Sequence, residues 1–190
     1  MDCLDAIRDR RSVRSFIDQA VTPEQVQTVI DAATMAPSER NLQPWQFNVY
    51  LDAKEIDELG FKIKEWLYKL PIDEPFASPM YKVLSDPDYR VFYGAPALIL
   101  VIATDTTMQS MQDCCLAAEN LLLAARALEL GSAWVGTATP WFHRDETKRM
   151  LKLAVPCTVV APIVLGHPAS WPTAPERRTP DVRWCSLPKP

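Results

Sequence analysis

Between Gln109 and Leu130 lies a helix-length stretch that is apolar almost all the way round: from Leu116 to Leu128 only Glu119, Asn120 and Arg126 interrupt it. A helix of that composition cannot rest on a surface, so it must be buried in the core of its own chain or against a second subunit. Three strands are expected beside it. Ala97 to Ala103 is continuously apolar and rich in branched residues, which predicts a central strand, and Cys157 to Leu165 reads as another. Trp45 to Tyr50 alternates large apolar with smaller polar residues, the pattern of a half-buried strand.

Further helices carry their own start signals. Thr22-Pro23-Glu24-Gln25 combines an N-cap hydroxyl, a proline at the first helical position and a glutamine three residues after the cap. The apolar stripe Val26, Val29, Ile30 and Ala33 comes next, and the helix is expected to stop near Met35, before Pro37. Asp52 with Glu55 predicts a second helix through about Leu70, and Arg144 to Leu153 a third; Ser132 to Thr137 reads as a short strand or turn. Strands alternating with helices give a mixed α/β or α+β layout, one sheet covered by helices, within a single domain over residues 1–190. A parallel dinucleotide fold is disfavoured, since the chain has five glycines and neither a Gly-x-Gly-x-x-Gly nor a phosphate-binding glycine loop.

Residues 70–93 hold four prolines among scattered aromatics, and Phe76, Met80, Tyr81, Tyr89, Phe92 and Tyr93 give the segment apolar surface, so it reads as a covering segment or lid. Residues 168–190 are proline-rich and expected to be extended. The longest apolar run of strand type, Ala95 to Ala103, falls far short of the roughly 20 residues a membrane-spanning helix needs. Met1-Asp2-Cys3-Leu4-Asp5 carries acid where a secretory signal would carry base, so a cytoplasmic location is expected. Five cysteines without a Cys-x-x-Cys pair indicate neither a disulfide framework nor a zinc site. His143 and His167, the only histidines, are expected to be structural or solvated.

The net charge is −4, yet Arg8, Arg10, Arg11 and Arg14 fall within seven residues. Acidity elsewhere argues against nucleic acid as a partner. The run Arg10-Arg11-Ser12-Val13-Arg14 joins guanidinium forks, which match phosphate oxygens in pairs, to a hydroxyl, and so points to a terminal phosphate. Asp2, Asp5 and Asp9 leave a second reading open, a solvated helix face with ion pairs.

Four segments in order resemble the FMN-dependent nitroreductase family: Arg10 to Phe16; Ala36-Pro37-Ser38-Glu39-Arg40-Asn41-Leu42-Gln43-Pro44-Trp45; Leu130-Gly131-Ser132-Ala133-Trp134-Val135-Gly136; and Leu165-Gly166-His167-Pro168 with Arg178 downstream. Ala95 to Ile99, Ala118-Glu119-Asn120-Leu121 and Pro156 extend the similarity across nearly the whole chain. The resemblance implies an α+β fold with a central mixed β-sheet flanked by helices, built as an intertwined homodimer around FMN. It assigns Arg10, Arg11, Ser12 and Arg14 to the phosphate and toward the flavin ring. Pro37, Ser38, Asn41 and Gln43 would come from the other subunit. Trp134, Val135 and Gly136 would lie against the ring, and Arg178 near the phosphate with Arg177 as its neighbour. Glycines at 131 and 136 suit close approach of backbone to a flat ligand.

The implied activity is ping-pong transfer from NADH or NADPH to a small-molecule electron acceptor of nitro, quinone or enone type. The flavin carries the chemistry, so no catalytic triad or metal is expected. Two alternatives stay open: a flavin oxidase or dehydrogenase of the same fold that uses no free nicotinamide, and a non-enzymatic flavin-binding or flavin-cleaving module.

Overall fold

A computed structural model describes residues 1–71 and 83–186. The helices are α1 (Cys3–Asp9), α2 (Pro23–Thr34), α3 (Ala53–Tyr68), α4 (Met108–Ala127), α5 (Thr139–Phe142) and α6 (Asp145–Met150). The strands are β1 (Trp45–Tyr50), β2 (Ala97–Ala103), β3 (Gly131–Trp134) and β4 (Thr158–Gly166). No helix among the described residues is long and apolar enough to cross a membrane.

The sheet order is β1-β2-β4-β3, with every neighbouring pair antiparallel. Its parallel component is an isolated bridge between Ser12 and Ser132 that ties the arginine segment to the β3 edge. β2 sits at the centre and explains the layering. Its Leu98, Leu100 and Ile102 face a cluster built with α3 and α5, while Ala97, Ile99, Val101 and Ala103 face one built with α2 and α4. A strand buried on both faces reads as an unbroken apolar run, as this one does.

Capping follows the local sequence. The Thr22 side chain accepts from Gln25 N–H while the Gln25 side chain accepts from Thr22 N–H, so the expected box forms at the start of α2. Asp52 caps α3 and Thr107 caps α4 by single side-chain bonds, accepting from Lys54 N–H and Ser110 N–H. The long helix buries Cys114, Ala117, Ala118, Leu121, Leu122 and Ala125 against the sheet, and small residues at this face bring its backbone close. Leu116 on the far side is 47% exposed, so one chain alone does not cover the apolar circumference.

One expectation needs correction, and one element is unexpected. The helix expected over Arg144 to Leu153 is shorter, because Leu151 caps α6 and Lys152 takes a left-handed φ of 52°. Just before it, the one-turn helix α5 starts at Thr139-Pro140 and buries Trp141 and Phe142. Four residues are too few for a periodic signal. Of the expected covering segment, residues 72–82 lie outside the described residues, as do 187–190 of the tail. Residues 83–94 pack on α3, where the Lys64 ammonium donates to the carbonyls of Asp86, Pro87 and Tyr89 at 2.6, 3.3 and 3.0 Å. Arg90 pairs with Asp57 beside them.

Candidate functional site

α1 ends at Arg10, where ψ turns to 135° and the chain runs on in extended form along β3. Val13 N–H donates to Ser132 O at 3.0 Å, and Ile17 N–H to His167 O at 3.0 Å. Ala169 N–H then donates to Ser15 O at 3.0 Å, so the arginine segment is held between β3 and the start of the tail. Alternation along an extended chain does the rest: Val13 points inward and is fully buried, which turns Ser12 and Arg14 outward.

The four arginines separate in role. Arg8 pairs with Asp5 at 3.3 Å on an exposed helix face, as the solvated reading of this run expects. Arg11 folds back so that one Nη donates to the carbonyls of Arg8 and Arg10, both at 2.7 Å, and closes the end of α1. Arg10 lies 3.2 Å from the Glu119 carboxylate of α4. Arg14 reaches Ser12 O, at 3.4 Å, and the ring of Tyr93, 5.9 Å from its centroid. The Arg10 contact runs through its buried Nε, which is ion-paired with Glu119 without the angle of a hydrogen bond, and the buried Nε of Arg11 lacks a hydrogen-bond partner among the described residues.

Arg10, Arg11, Ser12 and Arg14 form one wall of a cavity of about 400 Å³, and the tail from Pro172 to Arg177 forms the other. Arg177 faces the cavity; Arg178 is exposed and outside its lining. Four guanidinium groups lining a space of this size fit a phosphate monoester, and among the described residues Glu119 is the carboxylate that offsets them at contact distance. A larger cavity of about 810 Å³ lies between α3 and residues 87–92, but the arginine in its lining, Arg90, is engaged by Asp57. Lys62 and Lys64 also line the larger cavity, but beside Asp57 and Glu58, so the concentration of arginines makes the smaller cavity the candidate anion site.

The second segment forms a compact loop. Arg40, Asn41 and Gln43 take φ values of 50°, 58° and 49°, a left-handed backbone that non-glycine residues adopt at a cost. Internal bonds hold it, with Gln43 N–H donating to Ser38 Oγ at 3.0 Å and Gln43 Nε2 to Asn41 Oδ1 at 3.1 Å. From beneath, Asp113 on α4 accepts from Glu39 N–H at 3.0 Å, and Asn120 donates to Ala32 O at 3.2 Å. Asp113 is only 8% exposed and escapes sequence reading, because one acid in a helix carries no sign of its distant partner. Asp113→Ala leaves that amide unpaired and is expected to lower stability by about 1–3 kcal/mol, read from the urea midpoint, with Asp113→Asn losing less. None of Pro37, Ser38, Asn41 or Gln43 lines the arginine cavity of their own chain.

In the third segment Trp134 ends β3 and is 37% exposed, so it is not a core residue. Val135 is buried, and its amide is taken by Pro162 O at 2.8 Å. A Cβ on Gly136 would meet nothing within 4 Å, which leaves open space beside the backbone. Gly131 differs, since its missing Cβ makes room for Val13 and not for a ligand. Near Arg14, Tyr89 is half-buried, and burial first, then the neighbouring Tyr93 phenol, push its pKa up to about 12 against the pull of Thr137 and Arg14. Tyr89 therefore stays a neutral hydroxyl at any working pH. Arg14, Thr137, Tyr89 and Tyr93 bring together parts of three distant segments.

Known proteins agree with this architecture. The model described as Nitroreductase family matches residues 7–167. A protein of Methanothermobacter thermautotrophicus, provisionally named NADH dehydrogenase/NAD(P)H nitroreductase, is 30% identical over 186 residues, 95% of this chain and 85% of the relative. A Bacteroides fragilis nitroreductase with bound FMN has the same fold, with a TM-score of 0.80 at 24% identity and 95% of each chain covered. A Desulfovibrio desulfuricans protein in complex with FMN, provisionally named a nitroreductase, aligns with a TM-score of 0.69 at 28% identity, covering 94% of this chain and 92% of the other.

Proposed function

The chain belongs to the nitroreductase family, and from that membership we propose that it is an FMN-dependent oxidoreductase, taking reducing equivalents from NADH or NADPH and delivering them in a ping-pong cycle to a small nitro, quinone or enone acceptor. The observation that carries the reading is the cavity in which Arg10, Arg11 and Arg14 from one end of the chain meet Arg177 from the other. When bound, FMN would supply the chemistry, accepting hydride from the nicotinamide and returning it to the acceptor. The FMN in the Desulfovibrio desulfuricans relative supports that choice.

The protein's own groups hold and tune. Arg10, Arg11, Ser12 and Arg177 bind the dianionic phosphate by charge-assisted hydrogen bonds. Arg14 lies toward the ring, where a cation stabilises negative charge on the pyrimidine side and so eases reduction. The open space beside Gly136 would admit the flat ring, and exposed Trp134 and the Val135 backbone would lie against it. Pro37, Ser38, Asn41 and Gln43 suit an uncharged polyol and an amide edge, and they act on the flavin of the other subunit in a homodimer. Support for that dimer comes from the loop's absence from the lining of its own chain's cavity, from the uncovered Leu116 on α4, and from exposed Met35 before the loop and Leu42 within it. A cytoplasmic setting suits five free cysteines and a supply of reduced nicotinamide.

Two measurements test the reading. Protein purified from cells should be yellow and release FMN, identified by mass, on denaturation. Anaerobic addition of NADH or NADPH should bleach the flavin absorbance, and a nitroaromatic or quinone should restore it. Bleaching by neither nucleotide would favour an oxidase or dehydrogenase of this fold, and a colourless protein that takes up no FMN would remove the flavin altogether.

A further inference from the structure

The tail that closes the arginine cavity hangs from one fastener. After the Ala169 bond to Ser15, residues 170–186 form no helix or strand and are exposed. Among the described residues, the last ring, charge or hydrogen-bond contact between this run and the body is Trp171, whose ring centroid lies 4.2 Å from the Arg126 guanidinium carbon. Later contacts, Arg183 with Asp181 and Cys185 with Arg183 O, stay inside the tail.

Arg126 is well placed to be gripped. It sits in the last turn of α4, its side chain is 16% exposed, and Asp9 at the end of α1 pairs with it at 3.7 Å. Its Nε is buried without a hydrogen-bond partner among the described residues, so this guanidinium is fixed by packing and presents a flat face to an aromatic ring. Arg10 comes directly after Asp9 in the chain, so one ion pair sets the Trp171 perch relative to the arginine wall. Pro172 and Pro175 stiffen the next stretch, and an extended proline-rich run advances about 3.1 Å per residue. The stack therefore decides where Arg177, six residues on, can lie.

We propose that Trp171 is a latch: stacked on Arg126, it holds Pro172 to Arg177 across the arginine segment, completes the anion pocket with a fourth guanidinium and so selects a flavin bearing a terminal phosphate over one without. Trp171 is a positioning residue and touches no ligand. The inference rests on the proposal that the FMN phosphate occupies this cavity.

The test compares FMN with riboflavin, which lacks the phosphate. Dissociation constants for each are read from flavin fluorescence on dilution of the loaded full-length protein, for wild type, Trp171→Ala, Trp171→Phe, Arg177→Ala and Trp171→Ala/Arg177→Ala. Trp171→Ala should weaken FMN roughly tenfold, the order of one charge-assisted contact, and leave riboflavin within about twofold. Trp171→Phe keeps a ring for the stack and should recover most of the loss. The double variant should be no worse than Arg177→Ala alone, because both changes remove the same guanidinium from the pocket. Unchanged FMN affinity in Trp171→Ala, or equal weakening of both flavins with a fall in the urea midpoint, would overturn the latch and leave the flavin reading standing. Wild-type protein that binds neither flavin would overturn both.

Discussion

Removing Arg10 and Arg14 together, as Arg10→Ala/Arg14→Ala, is expected to cut FMN affinity by about two to four orders of magnitude while leaving the fold intact. Each guanidinium on a phosphate or an anionic ring edge contributes one charge-assisted contact, roughly 1.5–3 kcal/mol, and the two act on different parts of the ligand. The structural cost is small by comparison. Arg10 leaves behind Glu119, a half-exposed carboxylate that water can solvate, and Arg14 gives up one long bond to Ser12 O and a ring contact at the edge of its range. The urea midpoint should therefore move by no more than about 0.5–1 kcal/mol equivalent. Lysine at both positions keeps the charge and loses the fork, so it should recover part of the affinity and not all. FMN binding within about threefold of wild type in the double alanine variant would show that the phosphate sits elsewhere.

Arg11 is left out of that test for a physical reason. Its guanidinium already satisfies two carbonyls at the end of α1, so its removal would damage the helix end and the pocket at once. Sequence alone cannot tell these arginines apart. Their spacing announces an anion site, but whether a given one is spent on Asp5, on backbone carbonyls or on a cavity depends on where α1 stops and which face the next strand turns outward.

The same division runs through the molecule. Elements set by neighbours in sequence are legible: the Thr22 box opens α2, the Asp52 cap opens α3, and the unbroken apolar run is β2 at the centre of the sheet. Features set by distant partners are not. Asp113 supports a loop 74 residues away, and nothing near it in the chain says so. The left-handed Arg40, Asn41 and Gln43 hide because none is a glycine, so the usual mark of that backbone is missing. The tail shows the limit most sharply. Family resemblance assigns Arg178 to the phosphate, whereas the stack of Trp171 on Arg126 brings Arg177 into the cavity lining. A shift of one residue in an extended chain turns a different side chain inward, and the docking point fixes that register.

Gly131→Ala should damage stability and flavin binding together, although residue 131 touches neither solvent nor cavity. A Cβ built there would stand 2.8 Å from Val13 Cγ1, 2.9 Å from Val13 Cβ and 3.0 Å from Val13 Cγ2. Turning χ1 cannot relieve this, because Cβ itself is struck, and valine is stiff besides. The backbone must give way instead, and the strand that moves carries Ser12 and Arg14 on either side of Val13. Overpacking of this kind costs about 1–3 kcal/mol. It also strains the Val13 N–H bond to Ser132 O, which sets the height of the arginine wall above β3. FMN affinity should fall by about tenfold or more as a charge-assisted contact is pulled out of line. Trimming the obstructing side chain gives the decisive control. Val13→Ala alone opens a void under the strand, but in the Gly131→Ala background it removes two of the three clashes, so the pair should be less harmful than the sum of the singles. If losses in the urea midpoint and in FMN affinity simply add across that cycle, the contact between Gly131 and Val13 does not position the arginine segment.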